Sequence, residues 1–206
     1  MLKERFDLLY SLNGSLVCAV HKRVAMSYRH GAQFKNLEKN QKVSLQSVIF
    51  PEKIVEAQVV DFSKNSDYVY FVANQDLVEY NPRRTIPTIG KPYNVIALFK
   101  GNPAVSSFGN IYSEDRSSRG HVRGTSPPLD GESGALVVSD FGEIIGISIG
   151  GCNRLEWKAN NKVEEVLNKL TFSSRLGSHR LIVPVYVLDT FLADNYPEPE
   201  DPPVED

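Results

Sequence analysis

A serine bracketed by glycines, Gly131-Glu132-Ser133-Gly134, stands directly ahead of the apolar run Ala135-Leu136-Val137-Val138. A serine attacking a carbonyl creates an oxyanion that needs main-chain N–H groups aimed at it. Glycine lets the backbone turn tightly there without a side chain in the way. The same phrase also makes an ordinary turn in a chain with 14 glycines, so its chemistry depends on partners.

A hydroxyl becomes a useful nucleophile when a base takes its proton, commonly a histidine oriented by a carboxylate. The chain holds four histidines, His21, His30, His121 and His179. His30 closes the strand-like stretch Val24-Ala25-Met26-Ser27-Tyr28-Arg29 just before Gly31, a place from which a ring can project into a cleft or rest as a half-exposed turn residue. Two strand-like runs separated by a polar turn leave Asp67 at the entry of the second, within reach of an imidazole. Asp61 is the rival acid, and either also suits plain turn chemistry. His21 reads as a hairpin-turn residue and His179 as structural.

The order His30, Asp67, Ser133 resembles that of the trypsin-like peptidase superfamily. The serine phrase is similar to its Gly-Asp-Ser-Gly-Gly-Pro signature: Gly131, Ser133 and Gly134 match, while Glu132, Ala135 and Leu136 depart from it. The segment Gly142-Glu143-Ile144-Ile145-Gly146-Ile147-Ser148-Ile149-Gly150-Gly151 is similar to the hairpin and strand that line the substrate cleft in that family. The resemblance spans about residues 12–192. It implies catalytic roles for His30, Asp67 and Ser133, an oxyanion hole from the N–H groups of Gly131 and Ser133, and peptide or protein substrates. By counting, Pro127 falls where trypsin carries its specificity acid. That implies a neutral S1 pocket with Thr125, Ser126, Pro127, Ile149, Gly150 and Gly151 as substrate-binding residues. In zymogen-type members a newly cut N-terminus pairs with the acid before the serine, the place held here by Glu132.

One further reading stays open and another fails. A pseudoprotease would keep the triad and use its cleft, or residues 152–180, as a protein-binding module. An α/β-hydrolase elbow would need a helix after Ser133 with Asp140 and His179 downstream, yet Ser133 leads into a strand-like run and a glycine hairpin.

The elements that must position these residues read as all-β. Short β-branched and aromatic runs separated by Gly, Pro, Asn and Asp fall at Ser15–Val20, Arg23–Tyr28, Val43–Ile49, Val55–Val60 and Tyr68–Val72. A second set falls at Tyr93–Phe99, Ser107–Tyr112, Ala135–Ser139, Glu143–Ile149 and Leu181–Val185. Regular spacing of this kind indicates barrels or sandwiches. The expected organisation is two six-stranded antiparallel barrels of the chymotrypsin-like type: residues 1–80, a linker over 81–92, and residues 93–194. The site would lie between them. Val163, Val166, Leu167 and Leu170 predict an amphipathic helix in a loop insertion, and a short C-terminal helix is predicted near Pro184. The Pro-rich acidic stretch 195–206 is expected to be disordered.

The 206 residues suffice for a sizeable core, and a formal net charge of −2 argues against a nucleic-acid partner. No run is long and apolar enough for a membrane helix, and the start lacks the apolar core of a secretory signal. With only Cys18 and Cys152, the chain resembles disulfide-poor intracellular, bacterial or viral branches of the family, and a cytoplasmic location is expected. Neither the cysteines nor the histidines have metal-ligand spacing, so no metal and no cofactor are expected. Arg116, Arg119, His121 and Arg123 make a basic loop that could attract an acidic peptide or simply be solvated.

Overall fold

The computed structural model describes residues 2–113, 120–129, 131–151 and 179–196. Twelve strands form two closed antiparallel barrels of six strands each. The first contains β1 (Leu9–Leu12), β2 (Ser15–Ala19), β3 (Val24–Tyr28), β4 (Lys42–Ser47), β5 (Ile54–Ser63) and β6 (Tyr68–Ala73). The second contains β7 (Pro92–Phe99), β8 (Asn102–Ser113), β9 (Val122–Gly124), β10 (Leu136–Ser139), β11 (Ile144–Gly151) and β12 (Arg180–Pro184). Around each barrel the spatial order is β1-β2-β3-β6-β5-β4 and β10-β11-β12-β9-β8-β7. Closure removes the free edges that an open sheet of this size would expose.

The sequence pattern explains the inward faces. In β5, Val55, Ala57 and Val59 are buried while Ile54, Glu56 and Gln58 are exposed, the period-2 alternation of a strand with one face on a core. The strands β2 and β3 are buried at every residue, because one side fills the first barrel and the other packs toward its neighbour. Among the described residues an apolar cluster runs through both barrels, from Leu9 and Phe71 to Ile147 and Val183.

Two strands lie outside the expected set. β1 is only four residues and β9 only three, too short for a periodic signal to separate them from their flanks. The segment after β6 is not a loose tether: Thr85 N–H donates to the Ile144 carbonyl (2.9 Å) and Ile144 N–H to the Arg83 carbonyl (2.8 Å), which clamps it to β11. At the C-terminus, Pro184 leads into a 3₁₀ turn, Val185–Leu188, which passes into the α-helix α1, Asp189–Asn195. Helix therefore extends to Asn195, the first residue of the stretch expected to be disordered, and the Tyr196 ring rests on His21 with 4.6 Å between centroids. The amphipathic helix expected over Val163–Leu170 lies outside the described residues. Among the described residues no helix is long and apolar enough to cross a membrane.

Candidate active site

His30 directly follows β3, and the chain around it is pinned by its neighbours. The Arg29 side chain is buried, donates to the Leu37 carbonyl (2.8 Å) and stacks over the Phe62 ring at 4.0 Å. The Tyr28 ring lies against the His30 ring with centroids 4.7 Å apart. A Cβ on Gly31 would come within 2.6 Å of that same tyrosine, so glycine there lets the chain leave β3 without displacing the ring.

Asp67 ends the turn between β5 and β6 with φ +58°, the left-handed region that Asp and Asn enter more readily than most residues. Its carboxylate meets the His30 segment at several points. Oδ1 accepts from the His30 N–H (2.8 Å) and the Arg29 N–H (3.2 Å), and Oδ2 lies 2.5 Å from His30 Nδ1. A carboxylate only accepts, so the neutral ring carries its proton on Nδ1 and leaves a lone pair on Nε2. Asp61, the rival acid, is exposed beside a bulge in β5 and faces Tyr70 across the ladder.

Ser133 comes from the other barrel, on the turn leading into β10. Its Oγ lies 3.4 Å from His30 Nε2, at the long end of hydrogen bonding, as is common before substrate tightens a site. The turn is built from glycines at positive φ, Gly131 at +89° and Gly134 at +86°. At Gly134 a Cβ would also stand 2.7 Å from the Leu16 carbonyl of the first barrel, so the barrels meet at a contact that leaves no room for a side chain. The Gly134 carbonyl in turn accepts from the Cys18 thiol at 3.2 Å. Among the described residues neither the Gly131 nor the Ser133 N–H has an internal acceptor.

Beneath this turn lies a buried polar cluster. Arg180, at the start of β12, is fully buried, and its guanidinium meets the Glu132 carboxylate at 2.7 Å. It also donates to the hydroxyls of Ser126 (2.9 Å), Ser148 (2.8 Å) and Ser107 (3.0 Å) and to the Pro127 carbonyl (2.8 Å). Arg180 is absent from the sequence-derived site; its one signal there is a cation opening an otherwise apolar strand. Glu132 has a buried cation of the same chain as its partner.

The residues expected to bind substrate divide accordingly. Ile149, Gly150 and Gly151 lie on β11, and Gly150 has φ +117°. Thr125 and Pro127 are exposed, whereas Ser126 is buried with its hydroxyl 2.7 Å from the Tyr93 hydroxyl. His121 and Arg123 do not form an exposed basic loop. His121 is buried at the entry to β9 and its Nε2 lies 3.0 Å from the Ser66 carbonyl, beside Asp67. Arg116 and Arg119 lie outside the described residues.

Two closed six-stranded antiparallel barrels define the chymotrypsin-like fold. The chain is similar to the solved MamO protease domain from Magnetospirillum magneticum, with TM-score 0.60 and 15% identity over 88% of this chain and 89% of that one. It is also similar to a serine endoprotease from Yersinia pestis, with TM-score 0.56 and 14% identity over 89% of this chain and 57% of that longer one. No family model matches the sequence, and no curated protein matches it.

Proposed function

We propose that the protein is a serine endopeptidase in which His30, Asp67 and Ser133 act as the catalytic triad. The observation that carries this reading is the continuous chain of contacts from Asp67 Oδ2 to His30 Nδ1 (2.5 Å) and from His30 Nε2 to Ser133 Oγ (3.4 Å) across two barrels.

His30 takes the Ser133 hydroxyl proton at Nε2 as Oγ attacks the peptide carbonyl, and Asp67 holds the imidazole tautomer and stabilises the imidazolium. The free N–H groups of Gly131 and Ser133 receive the oxyanion. His30 then donates its proton to the departing amine, and water cleaves the acyl-enzyme by the same route in reverse. The S1 pocket is neutral, drawing on Thr125, Ser126, Pro127, Ile149, Gly150 and Gly151. Pro127 stands where trypsin carries its specificity acid, so no carboxylate is offered to a basic side chain, which disfavours Lys or Arg at the cleaved bond. Substrates are peptides or proteins, and the two-cysteine composition suits a reducing, cytoplasmic setting.

A fluorophosphonate probe with peptide mapping tests this directly. Wild type should label at Ser133 and cleave members of a peptide library. Ser133→Ala should lose both while keeping its far-UV circular dichroism spectrum. A folded wild type that neither labels nor cleaves would instead make the chain a protein-binding module on a peptidase scaffold.

A further inference from the structure

The ion pair beneath the nucleophile turn joins parts of the second barrel that are far apart in sequence. Arg180 opens β12, Ser107 lies on β8, Ser148 on β11, Ser126 and Pro127 come after β9, and Glu132 sits between the two residues whose N–H groups face no internal acceptor. Three acceptors lie within 3.0 Å of the single Nη2 atom, more than its two protons can serve in separate linear bonds, so the guanidinium is tightly caged. The Glu132 carboxylate oxygen that meets it also accepts from the Leu129 N–H at 2.7 Å. Glu132 N–H in turn donates to the Leu129 carbonyl and Ala135 N–H to the Glu132 carbonyl. Glu132 therefore points inward while Gly131 is exposed and Ser133 half-buried.

We propose that Arg180 is a positioning residue for the nucleophile turn: by drawing the Glu132 carboxylate into the barrel it holds residues 131–135 in a conformation that leaves the Gly131 and Ser133 N–H groups free for substrate. The turn is thus set by a cation within the folded barrel. This rests on the peptidase reading above for its catalytic consequence, though not for its structural one. Arg180 is not a receptor for an acidic substrate side chain, because it is fully buried and its charge is already matched. A lysine cannot replace it, since one ammonium lacks the planar fork that reaches Ser126, Ser148 and Glu132 together.

The experiment compares wild type, Arg180→Lys, Arg180→Met and the double variant Arg180→Met/Glu132→Leu. Two readouts are used: the rate of fluorophosphonate labelling at Ser133, and amide hydrogen exchange of the 129–135 peptide by mass spectrometry. Both single variants should label at least tenfold more slowly and exchange at least tenfold faster in 129–135, with the amides of β10 to β12 unchanged. The double variant removes the uncompensated charge and should recover thermal stability but not labelling, which separates positioning from charge compensation. If Arg180→Met fails to fold, the lysine and double variants decide the matter. Wild-type labelling and protection in any folded single variant, or recovery of both in the double variant, would overturn the proposal. So would a wild-type preference for Asp or Glu at the cleaved bond that vanishes in Arg180→Met. If wild type itself does not label, the peptidase reading fails and the exchange measurement still tests Arg180.

Discussion

At the scale of single residues, Asp67 combines an unusual backbone with a proposed catalytic role, and the two can be pulled apart. Its φ of +58° is tolerated by Asn as well as Asp. Asp67→Asn should therefore fold, but the amide cannot stabilise an imidazolium and favours the wrong tautomer. A fall of roughly 10⁴-fold in kcat is expected, as for the equivalent change in a serine triad, with an unfolding midpoint near wild type; steady-state kinetics beside thermal melts check both. Gly134 is the opposite case. Gly134→Ala would strain φ +86° and drive a methyl to 2.7 Å from the Leu16 carbonyl. It should cost about 1–3 kcal/mol or more, read as a lower urea midpoint, and displace Ser133 from His30.

At the scale of elements, the turn between β2 and β3 links the first barrel to the C-terminal helix through His21 and Tyr196. Burial disfavours the charged imidazole of His21, and nearby Arg84 adds to this against a partial offset from Asp76, so its affinity for a proton is lowered in the fold. The unfolded chain then binds more protons as pH falls below the ordinary imidazole value. This part of the stability is present above about pH 6.5 and is lost as pH drops through the lower folded value. The effect is small because the ring is only partly enclosed. Chemical denaturation from pH 7.5 to 5 should give a shallower slope for His21→Asn than for wild type, and an identical slope would exclude this contribution. The strands themselves are unevenly legible in the sequence. β5 alternates over several residues and can be read directly. β9 is three residues long and is recruited by β8 and β12 on either side, which no local pattern records.

At the scale of the whole molecule, His30 and Ser133 meet because the two barrels close on each other. Cys18 in β2 is fully buried with its thiol against the Gly134 carbonyl of the second barrel, and burial pushes its ionisation far above the ordinary thiol range. The nucleophilic thiolate is therefore suppressed. Alkylation of Cys18 by iodoacetamide should be no faster than global unfolding, and peptide mapping distinguishes it from Cys152. Modification faster than unfolding would reveal that the barrels part in the native state.

The all-β character and the candidates His30, Asp67 and Ser133 were legible in the sequence, because glycine turns, strand alternation and residue order are local or one-dimensional signals. Period-2 burial needs only the chain itself and water to define an inward face. The contact of His30 with Asp67 rather than Asp61, and the Arg180–Glu132 pair, were decided by tertiary structure. They join groups 37 and 48 positions apart, and which side of a barrel each turn emerges on depends on strand register. A buried arginine can be recognised only once its acceptors have been brought around it. The serine phrase specified a turn with a hydroxyl; the fold set a histidine 3.4 Å from it and an ion pair beneath it.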